Sequence, residues 1–330
     1  MINAAIVGLG WWGQNIAREL ATSTRIRPVL GVEPDPASRE RAHAQGLATT
    51  AVLADALGDP QVDAVVLCSP HRFHSTQIIE AAEAGKHVFC EKPFCTTAGE
   101  ADAAIAAVEA AGVRLGIGHE RRFEPAVMEL LARCRSGSLG TLLAFEGNFS
   151  QDKFLALPPD NWRLSSTQAP VGPLSATGIH LVDLAVSMLG EPSGVWALLS
   201  TRATSFENGD ALSVTLAFPT GATAVITAIL TTPFIGRMCM LGSEGWMEIR
   251  DRSHPESPAG WDVTTVQRGG EREERFFPPN AAVRDNLEAF ADAVEGVGHY
   301  PVTTAEIRST VKAFEAIVRS AHSGAVEQVG

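Results

Sequence analysis

Apolar and polar positions alternate between two rhythms over the first 120 residues. Ala4 to Val7 is an unbroken apolar run that ends in Gly8-Leu9-Gly10-Trp11-Trp12-Gly13, and Gln14 to Ala21 follows with Ile16, Ala17 and Leu20 at helical spacing. The pattern predicts strand, tight turn and helix. Arg27 to Val32 reads as a second strand, stopped by Pro34-Asp35-Pro36, which opens a helix through Ala44. Asp63 to Cys68 is a continuous apolar strand of the kind covered on both faces in a parallel sheet. A helix from Phe73 to Ala84 ends at Gly85, and His87 to Cys90 makes the next strand. Thr97-Ala98-Gly99-Glu100 has the spacing of a capping box, opening an alanine-rich helix to Ala111 before the strand Val113 to Ile117. This alternation predicts an α/β domain, a doubly wound parallel sheet of Rossmann type.

After a helix from Glu124 to Arg135 the rhythm changes. Leu142 to Phe149, Val195 to Thr201, Ala211 to Phe218, Ala222 to Leu230, Met238 to Leu241 and Trp246 to Ile249 are strand-like runs at hairpin spacing, and Pro219-Thr220-Gly221 is a turn between two of them. The expectation is an α+β domain built on a large, mostly antiparallel sheet, with helices at Thr177 to Leu189, Ala282 to Val294 and Thr304 to Ala321. Gln151 to Gly172 is a long proline-containing loop, of a length usually functional or mobile. Arg252 to Gly260 reads as an exposed excursion. The 330 residues fit two domains, with the division expected at residues 121 and 122.

Composition narrows the chemistry. A net charge of −12 argues against a nucleic-acid partner. No apolar run approaches the length of a membrane span, and no basic segment precedes an apolar stretch at Met1, so a soluble cytoplasmic protein is expected. The 5 cysteines form no paired CxxC motifs, which points to free thiols and to no metal site. Tyr300 is the sole tyrosine and Thr304 lies four positions on, which excludes the Tyr-x-x-x-Lys pair of short-chain dehydrogenases and disfavours aldo-keto reductase chemistry. Lysines occur only at 86, 92, 153 and 312, so a catalytic ammonium has few candidates.

Gly8, Gly10 and Gly13 stand between a strand and a helix, where they permit a tight turn, a close backbone approach to a pyrophosphate and helix-to-strand packing. Glu33, at the end of the second strand, is placed to accept hydrogen bonds from the adenosine ribose and to repel a 2′-phosphate, which favours NAD over NADP. The plainer alternative is a glutamate that ends a strand beside a turn. Arg39, one helical turn further, can accommodate a phosphate.

Cys68-Ser69-Pro70-His71-Arg72-Phe73-His74, then Ala84-Gly85-Lys86-His87-Val88-Phe89-Cys90-Glu91-Lys92-Pro93, and Gly178-Ile179-His180-Leu181-Val182-Asp183 make the chain recognisable. With the glycine turn they resemble the Gfo/Idh/MocA oxidoreductases, the family of glucose-fructose oxidoreductase and inositol dehydrogenase, nearly end to end. The resemblance implies a Rossmann domain followed by a domain with a large open antiparallel sheet, a substrate cleft between them, and association through that sheet into a homodimer or homotetramer. It implies hydride transfer at a carbinol carbon of a sugar, cyclitol or related cyclic diol. Cofactor contacts are expected from Gly8, Gly10, Trp11, Trp12, Gly13, Glu33, Ser69, Pro70, His71, His74, Glu91, Lys92 and Arg121.

Lys92 follows a parallel strand, where ligands of open α/β sheets bind, and its ammonium suits alkoxide stabilisation. The resemblance makes His180 the general base, a task that suits imidazole. The alternatives are a solvated lysine and a structural histidine. Ala176 departs from the family, in which inositol-dehydrogenase-like members carry an aspartate four positions before the histidine. Asp183, three positions after His180, is a candidate replacement and a substrate candidate, with a solvent-facing or bridging role as the alternative. Glu120 and, in the long loop, Lys153, Trp162 and Arg163 are further substrate candidates; for Glu120, as for Arg121, an inter-domain salt bridge is the alternative. The reading is an NAD-dependent dehydrogenase acting on a CH–OH group. The rivals are a regulatory protein that binds NAD and a sugar without turnover and, among enzymes, a cis-dihydrodiol or carboxylated-ring dehydrogenase.

Overall fold

A computed structural model describes residues 1–330. The chain divides into two compact units, Met1–Glu120 with Ala281–Arg308, and Arg121–Asn280 with Ser309–Gly330.

The first unit runs β1 (Ile2–Val7), α1 (Trp11–Leu20), β2 (Ile26–Val32), α2 (Pro36–His43), β3 (Ala48–Thr50), α3 (Leu53–Gly58), β4 (Ala64–Leu67), α4 (His74–Glu83), β5 (His87–Cys90), α5 (Ala98–Ala111) and β6 (Leu115–Ile117). The six strands are all parallel in the order β3-β2-β1-β4-β5-β6, so strand order reverses between β1 and β4. Ala4, Ala5 and Ile6 of β1 and all of β4 are fully buried, as the unbroken apolar runs predict. The capping box opens α5: the Thr97 hydroxyl accepts from the Glu100 N–H, and the Glu100 carboxylate accepts from the Thr97 N–H. The short β3 and α3 lie outside the elements read from periodicity.

The second unit holds α6 (Pro125–Ser136), β7 (Leu142–Ser150), α7 (Ile179–Leu189), β8 (Gly194–Ser200), β9 (Ala211–Ala217), β10 (Thr223–Ile229), β11 (Ile235–Gly242), β12 (Gly245–Asp251), β13 (Trp261–Gln267) and β14 (Arg272–Phe277). Then come α8 (Ala282–Val294), α9 (Thr304–Ser323) and the short β15 (Glu327–Gln328). The nine strands order as β14-β13-β12-β11-β7-β10-β9-β8-β15, antiparallel except for the parallel pair β7 and β10. Residues of α6, α7 and α9 bury one face of this sheet in a continuous core. The other face carries Trp196, Leu198 and Val225, all exposed. Trp196 and Val225 share one cross-strand row with Thr215 and Glu146. The polar β14 edge and the mixed alternation of β13 hid both strands from the sequence pattern.

Helix α8 corrects the expected division of the chain. Leu287, Phe290 and Ala291 belong to the core of the first unit, and the Phe290 ring meets Phe89 of β5 edge-on at 5.6 Å. A single boundary at residue 121 therefore does not describe the fold.

Candidate functional site

In the first unit, Gly8 turns the chain out of β1 at φ +91°, and a Cβ there would stand 2.8 Å from the Ser69 nitrogen. A Cβ on Gly13 would stand 1.9 Å from the Gly8 carbonyl oxygen. Internal packing thus demands both. Gly10 differs, because a Cβ there would meet nothing within 4 Å. It caps α1 without any side-chain hydrogen bond, leaving an approach to bare helix N–H groups and their partial positive charge. Trp11 is exposed beside it, and its ring lies 5.4 Å from that of half-buried Trp12.

The Glu33 carboxylate accepts from the Leu9 N–H (2.8 Å) and the Asp35 N–H (3.0 Å), which holds it against the glycine turn with acceptor capacity left over. Arg39 donates to the backbone carbonyls of Glu33 and Pro34, 2.7 Å each, so its cation is engaged with the turn after β2. An open helix start with an anchored acceptor fits the pyrophosphate and ribose of a dinucleotide.

After β4, the Ser69 hydroxyl donates to Gln77 (2.5 Å) and Pro70 leads into a short turn of 3-10 helix, His71–Phe73. His74 is fully buried, its ring nitrogens 2.9 Å from the carbonyl oxygens of Ser69 and Pro93. Burial lowers its pKa, against the pull of those carbonyls. His74 therefore ties the turn after β4 to the turn after β5, and this corrects the expected cofactor contact. Half-buried His71 lies with its ring 5.8 Å from that of His74.

Glu91 ends β5 almost wholly buried, its carboxylate packed so tightly on Gly118 that a Cβ there would lie 2.5 Å from Oε2. The Lys92 N–H donates to Glu91 Oε2 at 3.2 Å. Burial first, and then the charge of Glu120, push Glu91 up to about 7. The Trp12 indole, whose buried N–H meets no acceptor at good hydrogen-bond geometry, and the Lys92 ammonium pull it down. Lys92 itself is half-buried at the carboxyl end of the sheet, where ligands of such folds bind.

In the second unit, His180 is 4% exposed in the first turn of α7. A π-helical turn, Leu174–Gly178, leads into that helix, and Val171 just before it takes a positive φ of 50°. Ala176 lies within the π turn, so α-helical spacing does not describe its relation to His180. The His180 ring stands 5.9 Å from that of Phe149.

Two sequence expectations are corrected by buried ion pairs. Asp183 receives Arg122 bidentately at 2.7 and 2.6 Å, so its carboxylate serves that pair in place of a substrate. Arg121, 1% exposed, donates to Asp251 (2.7 and 2.8 Å) and to Glu124 (3.1 and 3.3 Å), and its guanidinium lies 5.2 Å from the Phe149 centroid. Burial alone would lower the Arg121 pKa, but Asp251 and Glu124 outweigh it and raise it. Its partners lie within the second unit, and the expected cofactor contact gives way to a structural cluster.

The long loop is tied to the segment that follows β12. Lys153 pairs with Glu256 and meets His254 Nδ1 at 3.0 Å, so its charge is engaged. Arg163 stacks on Trp162 at 4.4 Å, and burial lowers its pKa. An open cavity of about 490 Å³ borders the loop, lined by Leu155, Leu157, Asn161, Leu164 and Phe206 among others; Trp162 and Arg163 are not part of that lining. Sequence reasoning missed Phe149, Phe234, Asp251 and His254. It placed His254 on an exposed excursion, yet the side chain is 14% exposed.

Residues 2–119 match the model of the oxidoreductase family with an NAD-binding Rossmann fold, and residues 127–248 match the GFO/IDH/MocA C-terminal domain. Fold, turn and matches together define an NAD(P)-dependent oxidoreductase. The chain belongs to the Gfo/Idh/MocA family. It is 30% identical to D-xylose 1-dehydrogenase (NADP(+)) 2 of Haloferax volcanii over 89% of this chain and 90% of that one. It is 29% identical to scyllo-inositol 2-dehydrogenase (NAD(+)) of Bacillus subtilis over 77% and 75%. Several other curated relatives match over about half their length or less, as with the oxidoreductase YrbE of Bacillus subtilis, at 34% identity over 50% of its length. An aldose-aldose oxidoreductase from Caulobacter crescentus, solved with glycerol, superposes with a TM-score of 0.87 at 27% identity, covering 99% of both chains. A levoglucosan dehydrogenase solved with NADH gives 0.87 at 23% identity over 100% of this chain and 99% of that one, a likeness of fold. No helix is long and apolar enough to cross a membrane.

Proposed function

We propose that this chain is an NAD-favouring dehydrogenase that interconverts a secondary alcohol and a ketone on a sugar, cyclitol or related cyclic diol. The observation that carries the reading is the glycine turn with the Glu33 carboxylate anchored beside it, in a sheet whose β5 delivers Lys92 at its carboxyl end. A nicotinamide ring, when bound, supplies the hydride acceptor. His180 takes the carbinol proton, and the Lys92 ammonium stabilises the developing alkoxide. Glu33 supports NAD because its charge repels a 2′-phosphate, while Arg39 spends two hydrogen bonds on backbone carbonyls. The named relatives include users of both cofactors. The exposed sheet face with Trp196, Leu198 and Val225 supports assembly into a homodimer or homotetramer.

Absorbance at 340 nm with NAD and with NADP, across sugars, cyclitols and dihydrodiols, tests the reading. His180→Ala is expected to lower turnover by about 10² to 10⁴ while leaving the cofactor Kd unchanged; full activity in that variant removes His180 from the mechanism. Ala176, where the family resemblance leads one to expect an aspartate, favours a second reading as a regulatory protein that binds NAD and a sugar without turnover. Tight cofactor binding without turnover of any panel member is its signature.

A further inference from the structure

The open cavity of about 490 Å³ lies between two loops at one end of the second unit's sheet, the segment after β7 and the loop joining β8 to β9. Its volume is in the range that takes a small molecule. Both loops are held from within. The Asn208 amide donates to the carbonyls of Arg163 and Ala169, 2.8 Å each, and its backbone carbonyl accepts from the Gly172 N–H at 2.7 Å. The fully buried Asp210 carboxylate accepts from the N–H groups of Arg202 (2.9 Å), Ala203 (2.8 Å) and Thr204 (2.9 Å) and from the Thr204 hydroxyl (3.0 Å). The walls are thus fixed before any ligand arrives, which cuts the ordering cost of binding. Access is open, because Leu155, Asp160 and Glu207 of the lining are exposed. Leu164 is nearly buried at the base, with Leu157 and Phe206 half-buried. The charged residues of the lining, Asp160 and Glu207, are both acidic, and neither enters an ion pair with the protein. The two cations of the long loop are committed elsewhere, Lys153 to Glu256 and Arg163 to the Trp162 ring.

We propose that this cavity binds a small organic cation, a primary ammonium carried on an aromatic or branched aliphatic body. The body packs on Leu155, Leu157, Leu164 and Phe206, and the ammonium faces the carboxylates of Asp160 and Glu207. An apolar base offers little to a neutral polyol, and two carboxylates without a counter-ion repel an anion. A cation with an apolar body satisfies both features at once. His180 is not part of the lining, so the inference stands apart from the dehydrogenase reading.

The test uses the whole chain and three probes of one shape: phenethylammonium, phenethyl alcohol as its neutral match and phenylacetate as its anionic one. Saturation-transfer NMR titrations are expected to rank them in that order, the ammonium binding about fivefold more tightly than the alcohol, the worth of two exposed ion pairs. That margin is expected to shrink as salt is added. Asp160→Asn combined with Glu207→Gln, two exposed changes that spare the fold, is expected to bring the ammonium down to the level of the alcohol and to leave the alcohol unchanged. Leu155→Ser is expected to weaken both alike. Equal binding of ammonium and alcohol to the wild type overturns the proposal, as does a double variant that still holds the ammonium like the wild type. A lysine-containing peptide that binds where free phenethylammonium does not also overturns it, and gives the groove to a protein partner.

Discussion

The turn after β1 and the turn before α7 each lead into a helix that carries candidate chemistry, and they are built by opposite means. At the first, the unusual backbone falls on glycine: Gly8 holds the positive φ, and Gly13 admits the Gly8 carbonyl where no Cβ fits. Hydrogen bonds from backbone N–H groups then anchor Glu33. At the second, the positive φ falls on Val171, a buried β-branched residue for which that conformation is an outlier, and a π turn follows. Its surroundings are held by buried ion pairs, Arg122 with Asp183 and Arg121 with Asp251 and Glu124. A turn built from missing side chains announces itself in the sequence. One built from strain and distant charge partners does not.

Removing a charge partner breaks the comparison most forcefully. Arg122→Met leaves the Asp183 carboxylate buried without its bidentate partner, and about 3 to 5 kcal/mol of stability should be lost. Urea denaturation should show that loss, with cofactor affinity of the folded protein retained; the additional change Asp183→Asn should restore most of it. A loss under 1 kcal/mol would mean that the pair behaves like a surface bridge.

The first unit has its own buried charge, in Glu91. Its carboxyl titrates near 7 in place of the usual 4.5, so the folded chain holds a proton that the unfolded chain releases between those values. The associated stability is fully present below about pH 4.5 and is lost as pH rises through 7, on the order of 3 kcal/mol by pH 8. Glu91→Gln should flatten that slope in thermal melts between pH 5 and 8. An unaltered slope would assign the titration to another group.

The smallest effect concerns Val171. At ordinary backbone angles alanine is more stabilising than glycine, but positive φ reverses the order, so Val171→Gly should be about 1 kcal/mol more stable than Val171→Ala. The usual order between the two variants would show that the backbone relaxes on loss of the valine.

The residues visible from sequence were those with local signatures. Gly8, Gly10, Gly13 and Glu33 were legible from spacing after a strand, and the Thr97 capping box from four residues; Lys92 and His180 stood out through family resemblance. Arg121 was misjudged because its partner Asp251 lies 130 positions away, and no periodicity joins them. Helical spacing offers Asp183 as a partner for His180, with a solvent-facing or bridging role as the alternative, whereas Arg122, 61 positions earlier, takes its carboxylate. His74 reads as a cofactor contact only through the family resemblance, because it flanks the turn after β4; the two carbonyls across from its ring reveal a staple. Strand β14 went unread since its first four residues, Arg272 to Arg275, are all charged, and the parallel sheet was legible because its central strands are apolar on both faces.

Helix α8 bears on the order in which this protein is completed during translation. The six strands of the first unit emerge from the ribosome within the first 117 residues, while Phe290, which covers Phe89, comes long after. The Tyr300 hydroxyl that accepts from the Ile117 N–H (3.0 Å), and Asn286, which donates to the Ile117 carbonyl (2.9 Å), arrive as late. Until then the nascent sheet carries an uncovered aromatic and an edge strand, β6, whose backbone groups lack these partners, the features that invite mispairing. The unit begun first is thus finished only after most of the second has been made, and a protein cut after residue 120 would inherit that incomplete edge.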